Sequence, residues 1–228
     1  MREIKIEGFT FTVQPEPSDY WDWIDQGLYQ SDVETIKRFA WPQVSCIDAG
    51  AWVGAYTLLA SRLYKHVYAI EPDPVALDIL MRNLAANHLD NVTVYQGALM
   101  GHCGMTSVGS TVLGSSCTRE TCKDNAVAVS CTTLREFCKE IPDPLFIKMD
   151  VEGAEAQILE DWQFFSERKP DLMLSVHPDW WREAGSDGKR EYAAITKVGK
   201  LYRNAWHSGM ECRLNFDVKY GDVVFTDN

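Results

Sequence analysis

From residue 44 onward the chain alternates between two patterns. Short runs at 44–48, 67–71, 92–96, 145–150 and 171–177 read as strands, the first of them buried. Between them lie segments whose apolar residues recur every three or four positions, the spacing of one helix face. The clearest begins at Asp73, an N-cap residue, and Pro74, at the first helical position where a missing N–H costs nothing; Leu77, Leu80, Met81 and Leu84 follow with helical spacing. Helices are also predicted from the turn at Gly50 to about Leu63, and over 133–139, 154–162 and 189–203. Strand–helix alternation of this kind predicts a parallel sheet with helices on both faces. Runs at 210–216 and 222–226, separated by Tyr220-Gly221, predict a closing antiparallel hairpin. The expected architecture is α/β and Rossmann-like, a mostly parallel seven-stranded sheet.

The first forty-odd residues stand outside this rhythm. Residues 3–13 alternate weakly, as a short strand or hairpin does, and 14–18 hold two prolines and read as a loop. Ser31 or Asp32 is placed to cap a helix running to about Phe39. Residues 1–43 are therefore expected to form an N-terminal cap segment on a sheet domain spanning 44–228. The stretch 101–125, rich in Gly, Ser, Thr and Cys, predicts an excursion from the sheet, with a hairpin as one form. Neither an internal repeat nor a linker divides the 228 residues, so a single domain is expected.

Composition narrows the partners. The net charge of −11 disfavours a phosphate backbone as the default ligand, so nucleic acid is not expected. No apolar run approaches the roughly 20 residues needed to span a bilayer, and the first residues lack the apolar core of a signal peptide; the expectation is a cytoplasmic protein without membrane insertion. Seven cysteines, an odd number, read as reduced thiols rather than a disulfide framework. His102, Cys103, Cys117 and Cys122 lack the paired C-x₂-C hooks of structural zinc sites, so no metal is expected.

The candidate chemistry sits at strand ends. Cys-Ile-Asp-Ala-Gly-Ala-Trp-Val-Gly, residues 46–54, places Gly50 where a first strand turns into a helix. A glycine there permits a tight turn and close approach of a ligand, although any tight strand–helix turn uses one. Glu71 closes the next strand about twenty residues on, where an acid accepts both hydroxyls of a ribose; capping of the Pro72–Asp73 turn is the plainer alternative. The dinucleotide fingerprint G-x-G-x-x-G is absent, and Trp52 stands where a pyrophosphate wants close backbone approach.

These blocks, in order, resemble the FkbM-type S-adenosylmethionine-dependent methyltransferases. Asp48 to Gly54 resembles the family's D-x-G-A-N-x-G turn, and Glu71-Pro72-Asp73-Pro74 its E-P-x-P. Asn83, Asn87 and Asn91-Val92 resemble its N-x₃-N-x₃-N-V, and residues 147–155 its I-K-x-D-x-E-G-x-E block. Trp52 departs from the usual asparagine, and Ser175 stands near a place where an acid is frequent. The resemblance implies a class I methyltransferase fold and S-adenosylmethionine as cofactor. It places Asp48, Gly50, Ala51 and Trp52 near the methionine moiety, Glu71 on the ribose, Pro72, Gly97 and Ala98 around the adenine, and Asp150 near the methionine and the acceptor. It favours hydroxyls of sugars, glycolipids or other secondary metabolites as methyl acceptors.

The residues allow roles beyond binding. Lys148 and Asp150, two apart, share one face of a strand; they pair structurally with each other or with Asp48, or they act in catalysis. Glu152 and Glu155 suit the first turn of a helix, Glu155 as a structural residue and Glu152 with its role open. His177 closes the fifth strand with a pKa suited to a general base, and is expected to take the acceptor's proton while Asp150 positions acceptor or cofactor. Trp21, Trp23, Trp180 and Trp181 either pack on the core or offer aromatic faces at a pocket mouth. Lys189, Arg190, Lys197, Lys200 and Arg203 form a solvated basic face or receive an anionic acceptor. The rival to an enzyme is a non-catalytic module that binds S-adenosylmethionine or a protein partner; a nucleotide-dependent oxidoreductase is the third reading.

Overall fold

The computed structural model describes residues 1–27, 30–109, 126–183, 185–207, 210–211 and 221–227. Strands β1 (Arg2–Ile6) and β2 (Phe9–Val13) form an antiparallel hairpin, followed by helices α1 (Ser18–Asp25) and α2 (Gln30–Arg38). The alternating body then runs β3 (Ser45–Ala49), α3 (Ala55–Leu63), β4 (His66–Glu71), α4 (Pro74–Ala86) and β5 (Val92–Gln96). A three-stranded sheet follows, from β6 (Ala98–Leu99), β7 (Gly104–Gly109) and β8 (Ala126–Thr132). The chain continues through α5 (Leu134–Phe137), β9 (Leu145–Met149), α6 (Glu155–Leu159), α7 (Trp162–Arg168), β10 (Asp171–Val176), α8 (Pro178–Glu183) and α9 (Lys189–Gly199). It closes with β11 (Asn204–His207), β12 (Met210–Glu211) and β13 (Gly221–Thr226).

The main sheet has the order β12-β11-β13-β10-β9-β3-β4-β5. The five strands from β10 to β5 are parallel, and β13, β11 and the two-residue β12 add antiparallel pairing at one edge. Five parallel strands with β13 and β11 make the expected seven, and β12 is a short piece on the edge. Apolar strand residues alternate between two cores: Cys46, Phe146 and Met173 face one layer of helices, Ile47, Ile147 and Leu172 the other. The chain winds outward from β3 through β4 to β5, then returns to β9 on the other side of β3 and winds the opposite way. A crevice therefore opens at the C-terminal ends of β3, β4 and β9, the switch point where open α/β sheets bind ligands.

Several elements differ from their sequence-based bounds. The helix expected over 154–162 is two, because Asp161 caps a new one: its side chain accepts from Phe164 N. The helix expected to reach Arg203 ends at Gly199. The hairpin expected from 210–216 is made instead by β11, which pairs antiparallel with β13, while Met210–Glu211 pairs with β11; residues 212–216 lie outside the described part. In the excursion, β7 and β8 pair antiparallel with Gly104 opposite Cys131, and residues 110–125 lie outside the described part.

The N-terminal hairpin docks through asparagines. Asn83 Oδ1 accepts from Gln14 N at 2.7 Å, and its amide donates to Val53 O at 2.9 Å. Asn87 bonds both the N–H and the C=O of Thr12, at 2.9 and 2.7 Å. Two positions of the N-x₃-N-x₃-N-V stretch thus tie α4 to strand β2.

Candidate active site

A cavity of about 480 Å³ opens at these strand ends, within the size range of small-molecule sites. It is lined by Gly50, Ala51, Glu71, Pro72, Ala98 and Leu99, and by Tyr20, Trp23, Asp32, Tyr56, Asp150 and Glu152. Lys148 and Trp52 lie on its wall as well.

The turn after β3 requires glycine. Gly50 has φ +82°, and a Cβ there would lie 1.8 Å from the carbonyl oxygen of Asp150. The amides of Gly50 and Ala51 both donate to Ile70 O at 3.0 Å, locking the turn to the end of β4. Trp52 follows with φ +49°, a left-handed conformation that asparagine tolerates well and bulky residues rarely adopt. That preference accounts physically for asparagine as the usual residue in the motif. Here the conformation is held because Trp52 N donates to Glu71 Oε2 at 2.7 Å.

Glu71 accepts a second backbone N–H, from Asp73 at 2.7 Å on Oε1. The residue is 3% exposed. Burial pushes its pKa up to about 7, against the opposing pull of those two backbone donors. A carboxyl on a cavity wall, buried with two single N–H donors, retains lone pairs for a ligand's hydroxyls. With the glycine turn beside it, it suits a nucleoside ribose, so the residues present fit the cofactor that the motifs imply.

Lys148 is the buried cation beneath the turn. Its Nζ donates to Gly50 O at 2.9 Å and lies 3.4 Å from Asp48 and 3.5 Å from Asp150. Burial opposes its charge, but the two carboxylates outweigh that and raise its pKa. Both alternatives for its pairing are realised together. Asp48 does not line the cavity; it accepts from Thr57 Oγ1 at 2.6 Å and holds the turn from behind. Gly97 is also off the wall, its Cβ direction blocked by Tyr95 and Ser130, so its role is to let β8 approach.

Asp150 lines the cavity, with His177 Nε2 at 3.5 Å behind it. The other ring nitrogen of His177 lies 3.4 Å from Glu155. Burial works against charge on His177, but its hydrogen bond to Glu155 and the charges of Asp150, Glu155 and Glu152 raise its pKa. His177 is not among the residues lining the cavity. Glu155 is buried and accepts from Gly153 N at 2.9 Å. Glu152 does line the cavity, at φ +48°, and its Oε2 is buried without a hydrogen-bond partner among the described residues. Burial and the neighbouring Asp150 push its pKa up to about 7.

Of the rest of the wall, sequence reasoning pointed to Trp23, as an aromatic face at a pocket mouth, and not to Tyr20, Asp32 or Tyr56. Tyr20 and Trp23 come from α1, Asp32 from α2, Tyr56 from α3 and Ser175 from β10. Tyr56 donates its hydroxyl to Asp32. Ser175 donates to Asp222 at 2.6 Å, which brings a carboxylate from β13 beside Ser175. No spacing links these residues; only the folding of the cap segment onto the strand ends does. Trp21 is buried in the core and Trp23 is exposed at the cavity rim, and Trp181 is buried. The Trp180 side chain lies outside the described part. Of the basic run, Arg190 pairs with Glu160 and Lys189 with Asp187, and none of its members lines the cavity.

Cys46, Cys103, Cys131 and Cys138 are free thiols; Cys117, Cys122 and Cys212 lie outside the described part. Among the described residues, no helix is long and apolar enough to cross a membrane.

Sheet order, glycine turn and strand-end acid together define the Rossmann-like class I methyltransferase architecture. The FkbM methyltransferase domain matches residues 48–202, and the chain belongs to that family. A solved FkbM methyltransferase from Methylobacillus flagellatus KT superposes with a TM-score of 0.52 and 20% identity, over 80% of this chain and 43% of that one. The methyltransferase sdnD of Sordaria araneosa is 28% identical over 61% of this chain and 67% of its own length. A ribosomal protein L11 methyltransferase of Clostridium perfringens is 28% identical over 99 residues, 43% of this chain. That match spans about a third of the L11 enzyme.

Proposed function

We propose that this protein binds S-adenosylmethionine in the cavity and transfers its methyl group to an acceptor hydroxyl. The observation that carries the reading is Glu71, a buried carboxyl on the cavity wall with two backbone N–H donors, beside the glycine turn. When bound, S-adenosylmethionine supplies a methyl group on a positively charged sulfur. Glu71 holds the ribose hydroxyls, Pro72, Ala98 and Leu99 flank the adenine, and Gly50, Ala51 and Asp150 border the methionine portion.

The protein's main task is alignment of two reactants, which supplies much of the rate of a displacement. An alcohol also has to lose its proton as the new bond forms. Glu152 suits that role better than His177. It lines the cavity, has a carboxylate oxygen unpartnered among the described residues, and its pKa lies near neutrality, where general bases work best. His177 stands behind Asp150 with its proton favoured by two carboxylates, and acts as a positioning residue. The aromatic rings of Tyr20, Trp23 and Tyr56 give the cavity flat apolar faces, suited to sugar rings or polyketide-like carbon skeletons. One relative, the ribosomal protein L11 methyltransferase, is named for a protein acceptor, so protein acceptors belong in the screen.

The test uses S-adenosylmethionine labelled in the methyl group with panels of sugars, glycolipids, natural-product alcohols, protein and RNA. The proposal expects steady release of S-adenosylhomocysteine with a labelled ether product. Tight cofactor binding with no turnover on any panel favours the non-catalytic module.

A further inference from the structure

Trp52 is the residue at which the cofactor turn departs from its family's pattern, and its surroundings give it a function. Its amide lies 2.7 Å from the Glu71 carboxylate, and the residue lines the cavity together with that acid. In S-adenosylmethionine the sulfonium sulfur is one methylene from the ribose ring. A cofactor with its ribose on Glu71 keeps that sulfur close to the turn that carries Trp52, itself a lining residue of the cavity.

The indole is braced there. The Tyr20 ring meets it edge to face, with centroids 4.6 Å apart and planes at 77°, and Tyr20 is carried by helix α1. The left-handed backbone at Trp52 is a cost that bulky residues seldom bear, and strained backbone of this sort collects at ligand sites. An aromatic face attracts a cation through its quadrupole, tryptophan most strongly, whereas a neutral thioether makes a weaker contact, often at the ring edge.

We propose that Trp52 is a cofactor-specificity residue, whose indole borders the sulfonium and favours the cationic methyl donor over its neutral demethylated product. The assignment rests on the cofactor reading above. Its consequence is functional: a site that prefers the charged donor ejects S-adenosylhomocysteine after transfer, which limits product inhibition. The brace from Tyr20 makes the cap segment part of the cofactor site.

The experiment is calorimetric titration of S-adenosylmethionine and S-adenosylhomocysteine into the full chain, without acceptor, as wild type, Trp52→Phe, Trp52→Asn and Trp52→Ala. Circular dichroism and melting curves establish that each variant is folded, and Trp52→Asn relieves the backbone cost. The expected result is that the ratio of the Kd for S-adenosylhomocysteine to that for S-adenosylmethionine falls about 2- to 30-fold in Asn and Ala, the range of a cation–aromatic contact. The fall is smaller in Phe. A ratio unchanged in the Asn and Ala variants, including equal loss of both ligands, overturns the assignment while leaving the cofactor reading intact. Binding of neither ligand to the wild type overturns the cofactor reading itself.

Discussion

Glu152 and His177 stand within one small cluster, and their surroundings raise both pKa values, which favours a neutral carboxyl on Glu152 and a protonated ring on His177. Glu152 is moved toward neutrality by burial and by Asp150. His177 is clasped between Asp150 and Glu155. The account predicts that Glu152→Gln, at neutral pH and with an accepted substrate, lowers single-turnover methyl transfer by about 10²–10⁴ with little change in S-adenosylhomocysteine affinity. His177→Gln should reduce the rate less and shift its pH profile, because it acts through Asp150. If His177→Gln causes the larger loss and Glu152→Gln keeps nearly full rate, the roles are reversed. Strand-end residues such as Gly50, Glu71 and Asp150 are legible in the sequence because a parallel strand's end faces the crevice whatever else happens. Tyr20, Asp32 and Tyr56 are not, since their place depends on how the cap segment packs.

At the scale of elements, the strands β3, β4, β9 and β10 are legible because strands buried on both faces leave continuous apolar runs, and the part-exposed edge strand β5 is legible by its β-branched residues Val92, Thr93 and Val94. Helices α1 and α8 are not: they are short, each adjoins a proline, and their apolar marks are mostly tryptophan and tyrosine. The join between α4 and β2 is also invisible to periodicity, because it is polar. Asn83 is fully buried and serves backbone groups on two sides, Gln14 N and Val53 O. Asn83→Ala removes partners from both and should destabilise the fold by about 1–3 kcal/mol. For a chain of this size that lowers Tm by about 2–4 °C for each kcal/mol. A melting curve unchanged by the substitution contradicts the structural role given to this asparagine.

The whole molecule carries its acid burden unevenly. Glu71 and Glu152 have pKa values raised to about 7 by burial, and Asp222 is raised to about 7 by burial and by Asp32. A carboxyl with a raised folded pKa binds more protons in the folded than in the unfolded state, so the stability it contributes is present below its unfolded pKa and is lost as pH rises through about 7. The ligand-free protein should therefore lose stability between pH 5.5 and 8. Ribose hydroxyls donating to Glu71 favour its charged form, so affinity for S-adenosylhomocysteine should rise with pH up to about 7, approaching tenfold per unit. Melting curves with and without that ligand check both statements: the gain in Tm on binding should be larger at pH 8 than at pH 5.5. A gain independent of pH contradicts the place given to Glu71.

The central claim, that this crevice is a site for S-adenosylmethionine organised by Glu71, is tested most directly by one calorimetric comparison. S-adenosylhomocysteine is titrated into the wild type and into Glu71→Ala at pH 8, after melting curves show both folded. The account predicts one site on the wild type and a loss of about 1–3 kcal/mol in the variant, the contribution of a charged hydrogen-bond partner. Equal affinity in the two proteins, or no binding to the wild type, would contradict it.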